Sequence, residues 1–314
     1  MPPRWRIVLV VVIAIVVVVL VVSGRVIQEG RENPPVGTPV PAGSPFGSAA
    51  AGGQPVFGHV YLIVLENHGY DSVVKGTQMP YLKSLIAKGG LETAYQGVSR
   101  PSQPNYIALF SGDVQDIDDD GIHNINAPNL ADQLEGKGKS WSVSAENVPG
   151  GCFTGATAKG GRDGPGTYAR KHEPAISFVS ISRNPTRCAR IHDLTAFDPA
   201  EADFQLIVPN LCNDAHDCPL STADAWLSKL VPKITGSDAF KKDGLLIVTF
   251  DEAESRQANH VPLVALGPSV RPGTTSNTPT THYSLLRTIE DNWGLGCLAL
   301  TCSARNLGGL FTAP

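Results

Sequence analysis

Two pairs of oxygen-bearing side chains each follow an apolar segment: Glu66 and Asn67 after His59–Leu65, and Asp251 and Glu252 after Leu245–Phe250. The carboxyl ends of parallel strands meet at one edge of an α/β sheet, so these four side chains could converge on one cation. Either pair alone is explained more simply as the cap of a following helix or turn, because Asp and Asn commonly cap. Taken together, the two pairs favour a metal centre.

A serine between the two pairs lies where a helix begins. Ser102 precedes Pro104 and the apolar stretch Ile107–Phe110, which Ser111-Gly112 ends. Proline is tolerated in the first turn of a helix, so the spacing predicts Ser102 as the N-cap. Backbone N–H groups and the helix dipole favour an anion such as phosphate there. The alternative is an ordinary capping serine.

Other polar clusters fall in loops that such a sheet would bring to the same edge: Lys171 and His172, then Asp214, His216 and Asp217, and finally His282. A loop histidine is often only a surface residue, although it titrates near neutrality wherever it lies. Placement after a strand or at a helix start favours a role for His216 and His282. A Cys212–Cys218 disulfide would hold the middle cluster rigidly.

An acidic stretch, Asp113–Gly121, follows the Ser102 helix. It imitates the start of a calcium loop, but Ala127 stands where an EF-hand starting at Asp116 needs its bidentate Glu. We therefore expect a solvated loop that borders the substrate mouth.

The elements that must position these residues alternate between strand and helix. Strands are predicted at 59–65, 141–145, 204–208, 245–250 and 261–266, and helices at 79–87, from the Ser102 turn, at 127–134, 223–231 and 282–293. These strands are too apolar for an exposed sheet face. The fold class is therefore α/β, with a mostly parallel sheet flanked by helices on both faces.

Length and charge limit the possibilities further. The chain has 314 residues, 33.2 kDa, a net charge of −4, a pI near 6.1 and 42% hydrophobic residues. Residues 57–314 suffice for one large domain with a substantial core. No basic run follows the amino terminus, which argues against nucleic acid as a partner.

The amino-terminal segment 1–23 is predicted to be a targeting element. Arg4 and Arg6 precede sixteen apolar residues, Ile7–Val22, a length between a signal-peptide core and a spanning helix. We favour an uncleaved cell-membrane anchor with a cytoplasmic amino end; the alternative is secretion after cleavage near Val21-Val22-Ser23. The Pro- and Gly-rich segment 24–56 is predicted to be a flexible tether that holds an extracytoplasmic domain away from the membrane.

Six cysteines lie in the domain, and neither close pair has Cys-x-x-Cys spacing. Disulfides are favoured, which agrees with export. Proximity in sequence predicts Cys212 with Cys218 and Cys297 with Cys302, which leaves Cys152 for Cys188. Six cysteines allow fifteen pairings.

The motifs occur in a characteristic order: Glu66-Asn67-His68, Arg100-Pro101-Ser102-Gln103-Pro104-Asn105-Tyr106, Tyr168-Ala169-Arg170-Lys171-His172, Pro209-Asn210 with Asp214-Ala215-His216-Asp217, Thr249-Phe250-Asp251-Glu252, Asn259-His260-Val261-Pro262 and Thr281-His282-Tyr283-Ser284. This order resembles the phosphoesterase family that contains secreted bacterial acid phosphatases and phospholipases C. The resemblance covers residues 59–295.

The resemblance implies an alkaline-phosphatase-like fold, one divalent metal at the positions of Glu66, Asn67, Asp251 and Glu252, and Ser102 as the nucleophile. Family members commonly carry His-Pro before that serine, whereas this chain has Arg100. A guanidinium can hold phosphate bidentately but cannot act as an acid at neutral pH. Protonation of the leaving group would then come from His216 or His172.

The predicted site has three groups of residues: catalytic Ser102, Arg100, His172, His216 and Asp217; substrate-binding Asn105, Lys171, Asp214 and His282; and metal-binding Glu66, Asn67, Asp251 and Glu252. Carboxylate and amide ligands are hard, which favours Ca²⁺, Mg²⁺ or Mn²⁺.

The function predicted from these residues is hydrolysis of small, soluble phosphate monoesters through a phosphoserine. Arg100 and Lys171 would supply positive charge for the second negative charge of a monoester. The alternatives are a phospholipase C or other phosphodiesterase with the same nucleophile, and, less favoured, a non-catalytic exported binding protein. The expected partners are the phosphorylated substrate and, through the amino-terminal segment, the membrane; the sequence predicts no oligomeric state.

Overall fold

The computed structural model describes residues 57–159, 166–254 and 258–311. The predicted anchor (1–23) and tether (24–56) lie outside this described part. Within it, no helix is both long enough and apolar enough to cross a bilayer.

The described residues form twelve strands: β1 (His59–Leu65), β2 (Gly90–Glu92), β3 (Tyr95–Gln96), β4 (Trp141–Ala145), β5 (Thr157–Lys159), β6 (Thr167–Ala169), β7 (Ile191–Asp193), β8 (Phe204–Val208), β9 (Gly244–Phe250), β10 (Leu263–Leu266), β11 (Thr274–Ser276) and β12 (Thr280–Thr281). Eight make one sheet in the order β11-β2-β10-β9-β1-β8-β4-β7. In it only β10 runs against its neighbours. Two small sheets pair β3 with β12 in parallel and β5 with β6 antiparallel.

The centre of the sheet is apolar on both faces. Every residue of β8 and β9 is buried, and side chains alternate between faces along a strand. Both faces are therefore covered, as expected of parallel strands. This confirms the predicted α/β class with a mostly parallel sheet.

The register places the ends of the two central strands side by side. Leu65, the last residue of β1, pairs with Phe250, the last residue of β9. Neighbouring strands lie about 4.8 Å apart, so Glu66 and Asp251, which come next, must be neighbours. We call this edge of the sheet, where the parallel strands end, the carboxyl edge.

Eight α-helices lie in the described part: α1 (Pro80–Lys88), α2 (Ser102–Ser111), α3 (Leu130–Gly136), α4 (Val179–Ser182), α5 (Pro185–Cys188), α6 (Leu220–Thr235), α7 (Asp238–Asp243) and α8 (His282–Trp293). Helix α2 packs against α8, and α1 packs against α6. The predicted bounds of α8 are confirmed, as are those of β1, β4 and β8.

The helix predicted at 223–231 extends over Leu220–Thr235, and two other elements begin two or three residues later than predicted. The helix predicted at 127–134 begins at Leu130, because the Asn129 side chain caps it by accepting from the backbone of Ala131 and Asp132. The strand predicted at 261–266 begins only at Leu263 and runs antiparallel to β9. Pro262 cannot donate to a ladder, which suits a strand that starts just after it.

The predicted disulfides are confirmed, since Cys152 joins Cys188, Cys212 joins Cys218, and Cys297 joins Cys302. Such bonds persist in oxidising compartments. The three disulfides therefore agree with the predicted export from the reducing cytosol.

Helix α1 is capped from another helix. The Asp224 side chain of α6 accepts hydrogen bonds from the backbone N–H groups of Tyr81 and Leu82, each at 2.9 Å. Met79, at the N-cap position, makes no side-chain cap bond. The carboxylate therefore satisfies amide groups that a helix start leaves without partners.

We expect Asp224→Ala to lower the free energy of unfolding by about 2–3 kcal/mol, because it removes two bonds to a charged, mostly buried acceptor. Asp71→Ala is the matched control. Asp71 is exposed and pairs with Lys75 four residues on, so its loss should cost less than about 0.5 kcal/mol. Urea titration of both variants measures the difference; equal losses would contradict the capping role.

Candidate active site

Ser102 is bonded to a buried carboxylate. Glu66, just past β1, is fully buried, and Ser102 Oγ donates to its Oε2 at 2.9 Å. Pro101 occupies the N-cap position of α2, and no side-chain cap bond is present. The predicted capping role of Ser102 is therefore wrong, because the helix starts at Ser102 itself and its hydroxyl is engaged by Glu66.

Glu66 has two further partners. The Tyr106 hydroxyl donates to Oε1, and His172 Nε2 lies 3.2 Å from Oε2 as an ion pair. Burial works against ionisation of Glu66, but the charge of His172 and the bonds from His172, Tyr106 and Ser102 outweigh it and lower its pKa. Glu66 is therefore a carboxylate that holds the serine hydroxyl in place.

His172 lies between two carboxylates. Its Nδ1 is 3.1 Å from Asp214 Oδ2, opposite the contact with Glu66, and its ring stacks on Tyr106 at 5.2 Å. Burial disfavours the charged imidazolium, but Glu66 and then Asp214 offset this and raise the pKa of His172 to about 10. At neutral pH it is a cation fixed within the site.

The second pair of predicted ligands lies beside Glu66. The Asn67 backbone N–H donates to Asp251 Oδ1 at 3.0 Å, while Asp251 Oδ2 is buried without a hydrogen-bond partner among the described residues. Burial raises the pKa of Asp251 well above its usual range, and the charges of Glu66 and Glu252 raise it further. The structure thus brings together the carboxylates of Glu66, Asp251 and Glu252 and the backbone of Asn67.

These carboxylates do not form a closed metal cage. In the part of the chain that the structure describes, no three His, Cys, Asp or Glu side chains are arranged to hold a metal ion. Those four residue types do not include asparagine, so the amide oxygen of Asn67 is a further kind of donor. A metal would therefore need donors besides these side chains, or small movements of them.

Arg100 faces the Glu252 side of the site. Its guanidinium contacts Glu252 Oε2 at 3.2 Å, Asn259 Oδ1 at 3.1 Å and the Ala253 carbonyl. Burial raises the pKa of Glu252 to about 7, although the charge of Arg100 opposes that rise. Asn259 also donates to the Ser99 carbonyl at 3.0 Å, so one amide fixes both Arg100 and the loop that carries it.

A second cationic cluster approaches from the other side. Lys171 Nζ is 2.9 Å from Asp120 Oδ2 and 3.4 Å from His216 Nε2. The other ring nitrogen of His216 lies 2.8 Å from Asp217 Oδ1, and the rings of His216 and His172 are 5.7 Å apart. Lys171, His216 and Asp217 therefore join the site, and the acidic loop borders it through Asp120.

The turn that presents His216 is constrained. The His216 backbone N–H donates to Asp214 Oδ1 at 2.7 Å, and Ala215 has a φ of 79°, a left-handed conformation that a residue with a Cβ rarely adopts. The Cys212–Cys218 disulfide closes this turn. Strain held by a crosslink in this way is typical of functional sites.

Two predicted substrate-binding residues occupy supporting positions. The Asn105 side-chain oxygen accepts hydrogen bonds from the backbone N–H groups of Val98 and Ser99, both at 2.9 Å. Asn105 therefore fixes the backbone of the loop before Ser102. His282 Nε2 lies 2.6 Å from the Asp251 carbonyl, and burial lowers its pKa to about 4. Both positions are buried, and their contact with substrate stays a prediction.

Three residues that the sequence did not assign belong to the site: Tyr106, Asn259 and Asp120. Tyr106 could have been found, because it lies four residues after Ser102 and thus on the same face of α2. Asn259 and Asp120 lie in loops, where no periodic pattern predicts which way a side chain points.

The fold matches known structures. A protein of the alkaline phosphatase superfamily from Vibrio parahaemolyticus superimposes with a TM-score of 0.55 at 12% identity, over 81% of this chain and 70% of that one. At this identity the likeness establishes the fold, which is the alkaline-phosphatase-like architecture.

Sequence comparison defines the family. A model described as the Phosphoesterase family matches residues 72–296, and the chain belongs to this family. It is 32% identical to an acid phosphatase of Aspergillus fumigatus, over 82% of this chain and 62% of the relative. It is also 32% identical to a phosphatidylinositol-3-phosphatase of Mycobacterium tuberculosis, over 78% of this chain and 80% of the relative. The chain spans about three fifths of the length of the fungal acid phosphatases that it matches.

We expect Tyr106→Phe to destabilise the fold by about 1.5–3 kcal/mol, because it leaves a buried oxygen of the ionised Glu66 without its donor. Phosphate ester turnover should fall as well, since Glu66 orients Ser102.

Tyr168→Phe is the matched control. The Tyr168 hydroxyl is also buried but has no hydrogen-bond partner among the described residues, so its removal should be neutral or slightly stabilising. Denaturant unfolding of both variants decides the matter. A Tyr106→Phe variant as stable as Tyr168→Phe would overturn the role given to Tyr106.

Proposed function

We propose that this chain is a metal-dependent phosphatase that hydrolyses phosphate monoesters through a phosphoserine on Ser102. The observation that carries the proposal is the 2.9 Å bond from Ser102 Oγ to Glu66, next to Asp251, whose buried Oδ2 has no hydrogen-bond partner among the described residues. A serine held by a carboxylate at a helix start is placed to attack phosphorus, where backbone N–H groups favour an anion.

The donor set supports a divalent cation. Asp251 Oδ2 is buried and unpartnered among the described residues, and burial together with the negative charge of Glu66 raises the pKa values of Asp251 and Glu252. A cation would relieve this repulsion. We assign its ligands to Asp251, Asn67, Glu252 and Glu66, with hard oxygen donors that suit Ca²⁺, Mg²⁺ or Mn²⁺.

When bound, such a cation would stabilise charge on the phosphate and lower the pKa of the serine hydroxyl. In the first step a bond forms between Ser102 Oγ and phosphorus, and the bond from phosphorus to the leaving oxygen breaks. The serine proton passes to Glu66 Oε2, the acceptor already bonded to it. The leaving alcohol takes a proton from a general acid.

We assign the general acid to His216 and not to His172. His172 is buried between Glu66 and Asp214, which stabilise its charged form and make it a poor donor. The His216 side chain is about one quarter exposed and is oriented by Asp217. In the second step neutral His216 takes a proton from water, whose oxygen bonds to phosphorus as the bond to Ser102 breaks, and Glu66 returns the serine proton.

Charge favours monoesters over diesters. Lys171, Arg100 and His172 place three cationic groups around the site, enough to receive a phosphoryl group with two negative charges. The fungal and mycobacterial relatives are named as phosphatases, which supports the same choice. The disulfides support a location outside the cytoplasm, and we propose that the segment 1–23 anchors the enzyme in the membrane there.

Ser102→Ala should reduce kcat for phenyl phosphate by at least about 10³-fold, because covalent catalysis needs the hydroxyl, while the protein stays folded with a melting temperature lowered by the loss of one bond to Glu66. Ser99→Ala, three residues earlier, is the control and should keep most activity. The same assay with a matched phosphodiester should give a lower kcat/KM. Near-native turnover by folded Ser102→Ala would remove the nucleophile assignment, and a preference for the diester would remove the monoester assignment.

Chelation should abolish turnover, and Mg²⁺, Mn²⁺ or Ca²⁺ should restore it. Asp251→Asn should weaken binding of the restoring ion by at least about tenfold, since a negative ligand is lost. Asp243→Asn is the control, because Asp243 ends α7, immediately before β9 begins and far from the carboxyl edge. Isothermal titration measures both; equal affinities in the two variants, or full activity in chelator, would contradict the metal assignment.

A further inference from the structure

A small cleft adjoins the site on the Lys171 side. It has a volume of about 110 Å³. Its wall is formed mainly by apolar groups, which come from Ile122, Ala156, Thr157, Ala169 and Leu211. Asp120 and Lys171 also line it, so the ion pair between them borders both the cleft and the site.

Lys171 connects the cleft to the reacting groups. Its Nζ is 3.4 Å from His216 Nε2, and the His216 ring lies 5.7 Å from the ring of His172. His172 in turn contacts Glu66 Oε2, the oxygen that accepts the Ser102 hydroxyl. A phosphoryl group at Ser102 that is bonded to Lys171 would therefore have its alcohol portion at the opening of this cleft.

Ile122 is unusual among the apolar side chains of the described part. It is 54% exposed, and Leu300, at 42%, is the other exposed large hydrophobic residue. A single exposed isoleucine needs no explanation on an open surface. Here it stands at a cleft beside the site, where an apolar group of a ligand would bury both itself and the isoleucine.

We propose that this cleft is the leaving-group subsite, that it binds the apolar alcohol portion of a phosphate monoester, and that Ile122 determines this preference. The inference rests on the proposed phosphatase function and adds the substrate class. At about 110 Å³ the cleft is smaller than a cavity of about 150 Å³ that holds benzene, so it suits a short alkyl chain. It is too small for the two acyl chains of a phospholipid.

The test uses alkyl monophosphates from methyl to butyl, whose leaving oxygens are chemically alike but whose apolar surfaces differ. In the full chain, kcat/KM should rise by up to about fourfold for each added methylene, the fold-change that corresponds to burying one methylene. Ile122→Ala should flatten this rise and act mainly through KM. Inhibition by inorganic phosphate should be unchanged in that variant, because phosphate alone does not reach the cleft.

Leu300→Ala is the matched control, since it removes the other exposed large side chain and should keep the full rise. Ile122→Thr, a smaller change in shape, serves as a second variant and should also reduce the rise. A flat series in the unaltered protein, or the same rise in Ile122→Ala, would overturn the subsite. Absence of hydrolysis of every monoester would instead overturn the proposed function itself, and the subsite with it.

Discussion

The burial of negative charge at the carboxyl edge is the constraint on which the site depends. The register of β1 and β9 makes Glu66 and Asp251 neighbours, and both are fully buried. Ionised carboxylates so placed are costly unless they are paired. For Glu66 the surrounding elements supply that pairing: α2 contributes Ser102 and Tyr106, and the loop after β6 contributes His172, whereas one oxygen of Asp251 has no partner among the described residues. The groups that would perform the reaction are thus the same groups that make the buried charge tolerable.

Around this cluster lies a layer of buried amide and imidazole groups that fix backbone. Asn105 shapes the turn before Ser102, Asn259 joins Arg100 to the Ala253 backbone, and His282 holds the Asp251 carbonyl. None of these needs a charge, and burial lowers the pKa of His282 to about 4 so that it stays neutral. Neutral polar groups can position charged ones without adding to the electrostatic imbalance.

The fold class and most residues of the site were predictable from the sequence. Both follow from short local patterns of apolar and polar residues. Apolar runs that end in Glu66 and Asp251 predict both strands and the edge at which they meet. The direction of β10 was not predictable, since four apolar residues look alike in either orientation. The Asn259 bond to Arg100 was not predictable either, because it depends on the path of a loop, which is set by tertiary packing that no short window of sequence contains.

Arg100 shows how one substitution within a motif changes the balance of charge. A histidine at this position could move a proton, whereas a guanidinium keeps its charge throughout catalysis. Its contact with Glu252 Oε2 is 3.2 Å, so it neutralises the outer carboxylate while Asp251, deeper in the site, keeps an oxygen without a partner among the described residues. In the proposed mechanism, the protein thus balances the charge of Glu252, and the charge of Asp251 is left for a cation. Proton transfer would then fall to the Lys171 side of the site, where the His216 side chain is about one quarter exposed.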